Sequence, residues 1–234
     1  MHSSMKALRT KKPPEYFLRA LIQVLGPDGT LLLPALTYQN VTEKWPYFHV
    51  RDSEPCIGLL PRTFQRMKGV RRSLHPTHSV CATGRLAETL TKDHIRDDTP
   101  VGPNSPFMRL PEHGGKLLFV GNVLNACTFM HGIEEIVGAP YALKKERTRY
   151  HIRDDDGQVH VKDYITHDFE SGPGWNQAYY RIRELLAYPD IRSGKVGAAV
   201  CTLIDAAKLK EAALARFKED MYAFVIPIDE GRDS

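Results

Sequence analysis

Two continuous apolar runs of strand length constrain this chain most. Thr30-Leu31-Leu32-Leu33-Pro34-Ala35-Leu36 follows an Asp28-Gly29 turn, and Lys116-Leu117-Leu118-Phe119-Val120-Gly121 leads into a polar loop. Neither alternates polar with apolar residues, so both faces of each strand need cover, the condition of a sheet with helices packed against it. Pro34 cannot donate to a ladder and marks a strand end. Helical periodicity supplies the cover. After Pro13-Pro14, residues Phe17, Leu18, Leu21, Ile22 and Leu25 share one face, and Gly26-Pro27 stops the pattern. Asn176 to Leu186 and Ala206 to Phe217 read as further amphipathic helices, and Lys195 to Ile204 as another strand. Tyr150-His151-Ile152 and Val159-His160-Val161 alternate around Asp154-Asp155-Asp156-Gly157, which predicts a β-hairpin projecting from the main sheet. No internal repeat or low-complexity tract is present, and Asp229 to Ser234 reads as a loose tail.

With 234 residues, 42% hydrophobic and 26% charged, the chain can bury a substantial core, and one domain over residues 1–234 is expected. Its formal charge of +4 comes from 32 basic and 28 acidic residues. The basic ones are scattered apart from Lys11-Lys12, Arg71-Arg72 and Lys144-Lys145-Glu146-Arg147, which excludes the continuous stripe a nucleic-acid binder needs. A small basic pocket for one polyanionic cofactor stays open. Cys56, Cys81, Cys127 and Cys201 form no Cys-x-x-Cys pair, so neither a zinc knuckle nor a disulfide framework is indicated, and reduced thiols in a cytoplasmic protein are expected. No apolar stretch approaches the roughly 20 residues of a membrane helix, and no secretory signal opens the chain, so a soluble protein without membrane contact is expected.

The chemistry-bearing residues fall in two segments, Arg72-Ser73-Leu74-His75-Pro76-Thr77-His78-Ser79 and Thr128-Phe129-Met130-His131-Gly132-Ile133-Glu134. An imidazole exchanges a proton near neutral pH, and a carboxylate behind it fixes its orientation, so His75 backed by Glu134 is a candidate base for activating an amine or hydroxyl. Thr128 suits an N-cap and Gly138 with Pro140 a helix end, which makes His131 and Glu134, three residues apart, neighbours on one helical face. Each residue also has a structural reading: His75 before proline as a turn residue, Glu134 beside Glu135 as part of an acidic surface, His131 as a brace, Trp175 as a core anchor. His75, His78, His131 and Glu134 are types that hydrolytic zinc takes, but no His-Glu-x-x-His or Cys-x-x-Cys pattern accompanies them, so no metal is expected.

Taken in order, Gly29-Thr30-Leu31-Leu32-Leu33-Pro34, Ser73-x-His75-Pro76-x-His78-Ser79, Gly102-Pro103-x-Ser105-Pro106 and Thr128-x-x-His131-x-x-Glu134 resemble the aminoglycoside 3-N-acetyltransferase family, as does the opening His2-Ser3-Ser4-Met5-Lys6. The resemblance runs from His2 to about Leu203 and implies a three-layer α/β/α sandwich with a central mixed sheet, lacking the helix and first strand that precede His-Ser-Ser in relatives. It implies acetyl transfer from acetyl-CoA to an amine of an aminoglycoside or related amino sugar, a small-molecule partner, with His75 as general base and Glu134 as its orienting partner. No covalent intermediate is required. It implies cofactor contacts at Ser3, Ser4, Met5, Ser79, Val80, Ser105 and Pro106, and acceptor contacts at Thr37, Tyr38, Asp52 and His131. The loop after His-Ser-Ser, Ala7 to Pro13, has no glycine, and His49 stands where relatives often carry an aspartate. A homodimer is a further expectation. The alternatives are a catalytically impaired CoA-binding protein of the same fold and a zinc hydrolase.

Overall fold

The two apolar runs become strands in two different sheets. The computed structural model describes residues 1–169 and 174–228, so the expected tail from Asp229 to Ser234 lies outside the described residues. Its strands are β1 (His2–Ser3), β2 (Thr30–Pro34), β3 (Tyr47–His49), β4 (Arg71–Arg72), β5 (Val80–Gly84), β6 (Lys116–Val120), β7 (Leu143–Arg153), β8 (Val159–His167), β9 (Trp175–Gln177), β10 (Ile191–Val196), β11 (Ala199–Asp205) and β12 (Val225–Pro227). The helices are α1 (Met5–Leu8), α2 (Pro14–Leu25), α3 (Leu59–Gln65), α4 (Ala87–Thr91), α5 (Thr128–Val137) and α6 (Ala206–Glu219).

The class is α/β with mixed sheets, as expected, but the strands are divided among sheets ordered β1-β6-β11-β10, β2-β5-β4, β3-β7-β8 and β12-β9. In the first, β1 runs parallel to β6 while β6, β11 and β10 are antiparallel. Pro34 ends the β2 ladder opposite Val80, as its missing donor requires. Leu18 of α2 is fully buried with Leu31, Leu33 and Phe64, each such side chain contributing roughly 1.5–3 kcal/mol on burial. The largest core joins Phe119 of β6, Phe129, Met130 and Ile133 of α5, and Leu209 and Phe217 of α6. The Asp205 carboxylate caps α6, accepting from the Ala207 and Lys208 amides at 3.0 and 3.1 Å. No helix of the described residues is long and apolar enough to cross a membrane.

Four local expectations change. Asn176 to Leu186 is not an α-helix: β9 leads into a 3-10 segment, Tyr179–Glu184. The i,i+3 spacing of buried Tyr179 and Ile182 fits a 3-10 turn as well as an α-helix, so periodicity could not separate them. The single strand from Lys195 to Ile204 is a hairpin, β10 with β11, reversing at Gly197, whose φ of 59° favours glycine. Thr128 is the first helical residue of α5 and Cys127 holds the cap position, without a side-chain capping bond. The β7–β8 hairpin does not project freely: β3 pairs in parallel with β7, and Phe48, Val50, Tyr150, Ile152 and Tyr164 bury one another.

Candidate active site

A cavity of about 530 Å³ opens where α5, the β7–β8 hairpin and the loop between β4 and β5 meet. His78, His131, His167, Thr128 and Tyr38 are among its walls, with Ser3 from β1 and Glu43, Lys144, Asp168 and Gln177 from elsewhere in the chain. His131 and Glu134 face the same way because they are one turn apart on α5. His131 Nδ1 lies 3.0 Å from Glu134 Oε2. Tyr179 Oη reaches both, donating to Glu134 Oε2 at 2.8 Å and lying 2.8 Å from His131 Nδ1, while Tyr141 Oη donates to Glu134 Oε1 at 3.3 Å. Glu134 is wholly buried, and burial first and then this carboxylate push both tyrosines well above the usual phenol range, so both serve as donors. Gly132 sets the depth of the helix, since a Cβ there would collide with Met108 Sδ and stand 2.8 Å from Val101 Cγ1.

The expected pairing of His75 with Glu134 does not form. His75 is fully buried, and its Nδ1 accepts from the backbone amides of Thr77 at 3.2 Å and His78 at 3.0 Å. Nε2 must then carry the proton, which it donates to Thr99 O at 3.0 Å. The ring stacks on His94 at 4.8 Å and meets Tyr164 edge-on at 4.9 Å. Burial, outweighing the Thr99 carbonyl, lowers its pKa to about 3, so it stays neutral and its two nitrogens tie the turn at 75–78 to the loop at Thr99. Burial likewise holds His78, His94 and His167 well below the usual imidazole range.

The other expected contacts divide in the same way. Ser3, Tyr38 and His131 line the cavity, and Tyr38 stacks on His78 at 6.1 Å. Ser79 Oγ donates to Ala35 O and accepts from Arg72 Nε, and Val80 lies in the main core. Thr37 is buried, its hydroxyl on Pro76 O; Ser105 and Pro106 are buried in their loop. Ser4 precedes α1, its amide on Val120 O at 2.9 Å, and Met5 packs against both the Val120 and the Leu33 clusters. Asp52 is exposed, paired with His49 at 3.2 Å. Sequence alone missed Tyr179 and His167; Tyr179 was hidden in the segment read as helix, and His167 lay just beyond the expected hairpin.

The thiols are poorly suited to nucleophilic work. Burial raises Cys81 and Cys127 to about 12 and lifts Cys56 and Cys201 as well, so none is a thiolate near neutral pH. Among the described residues no group of three or more His, Cys, Asp or Glu side chains is arranged to hold a metal ion. What the site offers is an oriented imidazole on the wall of a cavity of mixed polar and apolar lining, the arrangement of a general base for a direct attack.

Comparison with known proteins gives the same direction. The family model described as aminoglycoside 3-N-acetyltransferase matches residues 1–218. Aminoglycoside N(3)-acetyltransferase VII of Streptomyces paromomycinus is 30% identical over 236 residues, covering 89% of this chain and 80% of that protein. A histidine-to-alanine mutant of aminoglycoside acetyltransferase AAC(3)-IVa in complex with a gentamicin superposes with a TM-score of 0.78 at 28% identity, covering 97% of this chain and 83% of that one. AAC-IIIb in its binary complex with CoASH gives 0.75 at 27% identity, covering 93% and 88%. The chain belongs to the aminoglycoside 3-N-acetyltransferase family.

Proposed function

We propose that the protein transfers the acetyl group of acetyl-CoA to an amine of an aminoglycoside, with His131 as the general base and Glu134 as the group that orients it. The observation that carries this is the 3.0 Å contact between His131 Nδ1 and Glu134 Oε2 on the wall of the cavity. With Nδ1–H directed at the carboxylate, Nε2 is the basic nitrogen. It takes a proton from the acceptor nitrogen as that nitrogen bonds to the thioester carbon. The carbon–sulfur bond then breaks, its electron pair leaves on sulfur, and the imidazolium returns the proton to give the CoA thiol. Neutral thiols at all four cysteines favour this direct route over an acyl-enzyme.

The similarity to relatives described with CoASH and with gentamicin supports the two substrates. Ser3 in the cavity wall is the contact we assign to the pantetheine arm, with Ser4 and Met5 beside it; Ser79 and Val80 at the entry to β5, and Ser105 and Pro106 in their loop, are buried and give support from the interior. Tyr38, Glu43 and Asp168 give the acceptor side polar and acidic groups suited to a cation. Reduced thiols and the supply of acetyl-CoA favour the cytoplasm as the place of action. Thiol release from acetyl-CoA, measured across a panel of aminoglycosides and simple amino sugars, tests the assignment. Acceptor-dependent release is expected, and its absence with every amine would refute it.

A further inference from the structure

Two successive carboxylates on α5 serve two different histidines. Glu134 holds His131, whereas Glu135, about 100° further round the helix, turns to β8, where its Oε1 lies 3.5 Å from His167 Nε2 while accepting the Val101 amide at 2.8 Å. His167 lines the cavity, its ring 4.3 Å from the His131 ring and 4.6 Å from the His78 ring. Among the described residues its buried Nε2 has no hydrogen-bond partner of good geometry, and neither has Oε2 of Glu135, the acid beside it. Neighbouring orphan atoms on an imidazole and a carboxyl, with the histidine also lining the cavity, are suited to holding a proton in transit.

We propose that the His167–Glu135 pair takes the first of the two protons an ammonium acceptor must lose, leaving His131 free to take the second. This rests on the reaction proposed above. An amine on an amino sugar is largely R–NH₃⁺ near neutral pH and has no lone pair to attack with. One proton passes to the His167–Glu135 pair and gives R–NH₂. The nitrogen–carbon bond forms, the second proton goes to His131 Nε2, and the carbon–sulfur bond breaks with that proton ending on sulfur. The products are the amide, the CoA thiol and one proton, which the pair returns to water. A single base would have to shed its proton in mid-turnover.

The surroundings suit a group that takes and gives back a proton. His167 faces His131 and Glu135 of α5 and His78 of the β4–β5 loop, with His75 behind; Glu135 also faces Asp97 and lies beside Glu134. Burial raises the Glu135 carboxyl to about 7, against the pull of Thr99 and the Val101 amide. Burial and the neighbouring imidazoles keep His167 neutral at rest. The acid therefore exchanges its proton in the range where the enzyme would work.

The test compares kcat/KM for thiol release, as a function of pH, on two acceptors: an aminoglycoside with an ordinary basic amine, and an analogue in which an adjacent fluorine makes that amine weakly basic and already neutral at pH 7. In Glu135→Gln the ratio of basic to weakly basic acceptor is expected to fall about ten-fold at pH 7 and recover as pH rises toward the basic amine's own pKa. His167→Asn, which removes no buried carboxyl, should give the same pattern and stands in if Glu135→Gln does not fold. An unchanged ratio in a folded variant, or an equal loss on both acceptors at every pH, overturns the proposal. His131→Ala separates the two levels, since it should lose both acceptors alike; retention of both would instead remove the underlying reaction.

Discussion

His75 and His131 are the same side chain on two sides of one histidine cluster, and their partners give them opposite work. His75 has backbone on both nitrogens, two amides on Nδ1 and a carbonyl on Nε2, with His94 and Tyr164 closing over the ring. His131 has a buried carboxylate and a tyrosine hydroxyl on one nitrogen and the cavity beside its ring. A ring bonded to backbone at both ends cannot change its protonation without breaking the fold. One held at a single end by a carboxylate can. The nature of the hydrogen-bond partner, more than the motif around the histidine, decides which one acts as a base.

That contrast can be broken by substitution. The largest effect is expected for His131→Ala, a loss of about 10²–10⁴ in kcat for thiol release, with acetyl-CoA affinity by calorimetry nearly unchanged. Glu134→Gln should follow, at about 10–10²-fold, because the amide oxygen can still accept from Nδ1–H and Tyr179, while its NH2 faces Tyr141 and the imidazolium loses its countercharge. Full activity in either variant would return the base to another residue.

The His75 side should instead be read in stability. Its pKa is lowered in the folded protein, so its contribution is complete above the ordinary value near 6.5 and is lost as pH falls toward about 3. The unfolding free energy from denaturant titration should therefore drop over that window, by at most about 5 kcal/mol from this group. His75→Gln should flatten the drop, and an identical pH dependence in that variant would show that the ring is already solvated. The smallest effect is expected for Tyr179→Phe, about 1 kcal/mol in stability and a few-fold in kcat, since Tyr141 still donates to Glu134. An effect as large as that of His131→Ala would make the phenol part of the chemistry.

How much of this was legible beforehand follows from which interactions are local. Thr30–Pro34, Lys116–Val120 and Pro14–Leu25 could be read because a continuous or 3.6-residue apolar pattern with Pro and Gly at its ends has few other solutions. The first part of Ile191–Val196 could not, because Arg192, Ser193 and Gly194 on this exposed edge give no apolar pattern before Lys195. In the site, His131 and Glu134 were recognisable as helical neighbours. The error lay in assigning Glu134 to His75 across the chain, when the carboxylate was already matched by a residue one turn away. His75 could be read as a base or as a turn residue before Pro76, and only tertiary structure brings Thr99, His94 and Tyr164 over it. Tyr179 and Glu135 depend on the same long-range packing, so no spacing rule could have named them.

Chemical rescue tests the central claim most directly. In His131→Ala the lost ring leaves a gap in the cavity wall that free imidazole can enter, so millimolar imidazole should restore a saturable part of thiol release, while His75→Ala should remain active in its folded fraction without rescue. Imidazole rescue confined to His75→Ala, with His131→Ala as active as the parent protein, would contradict the account.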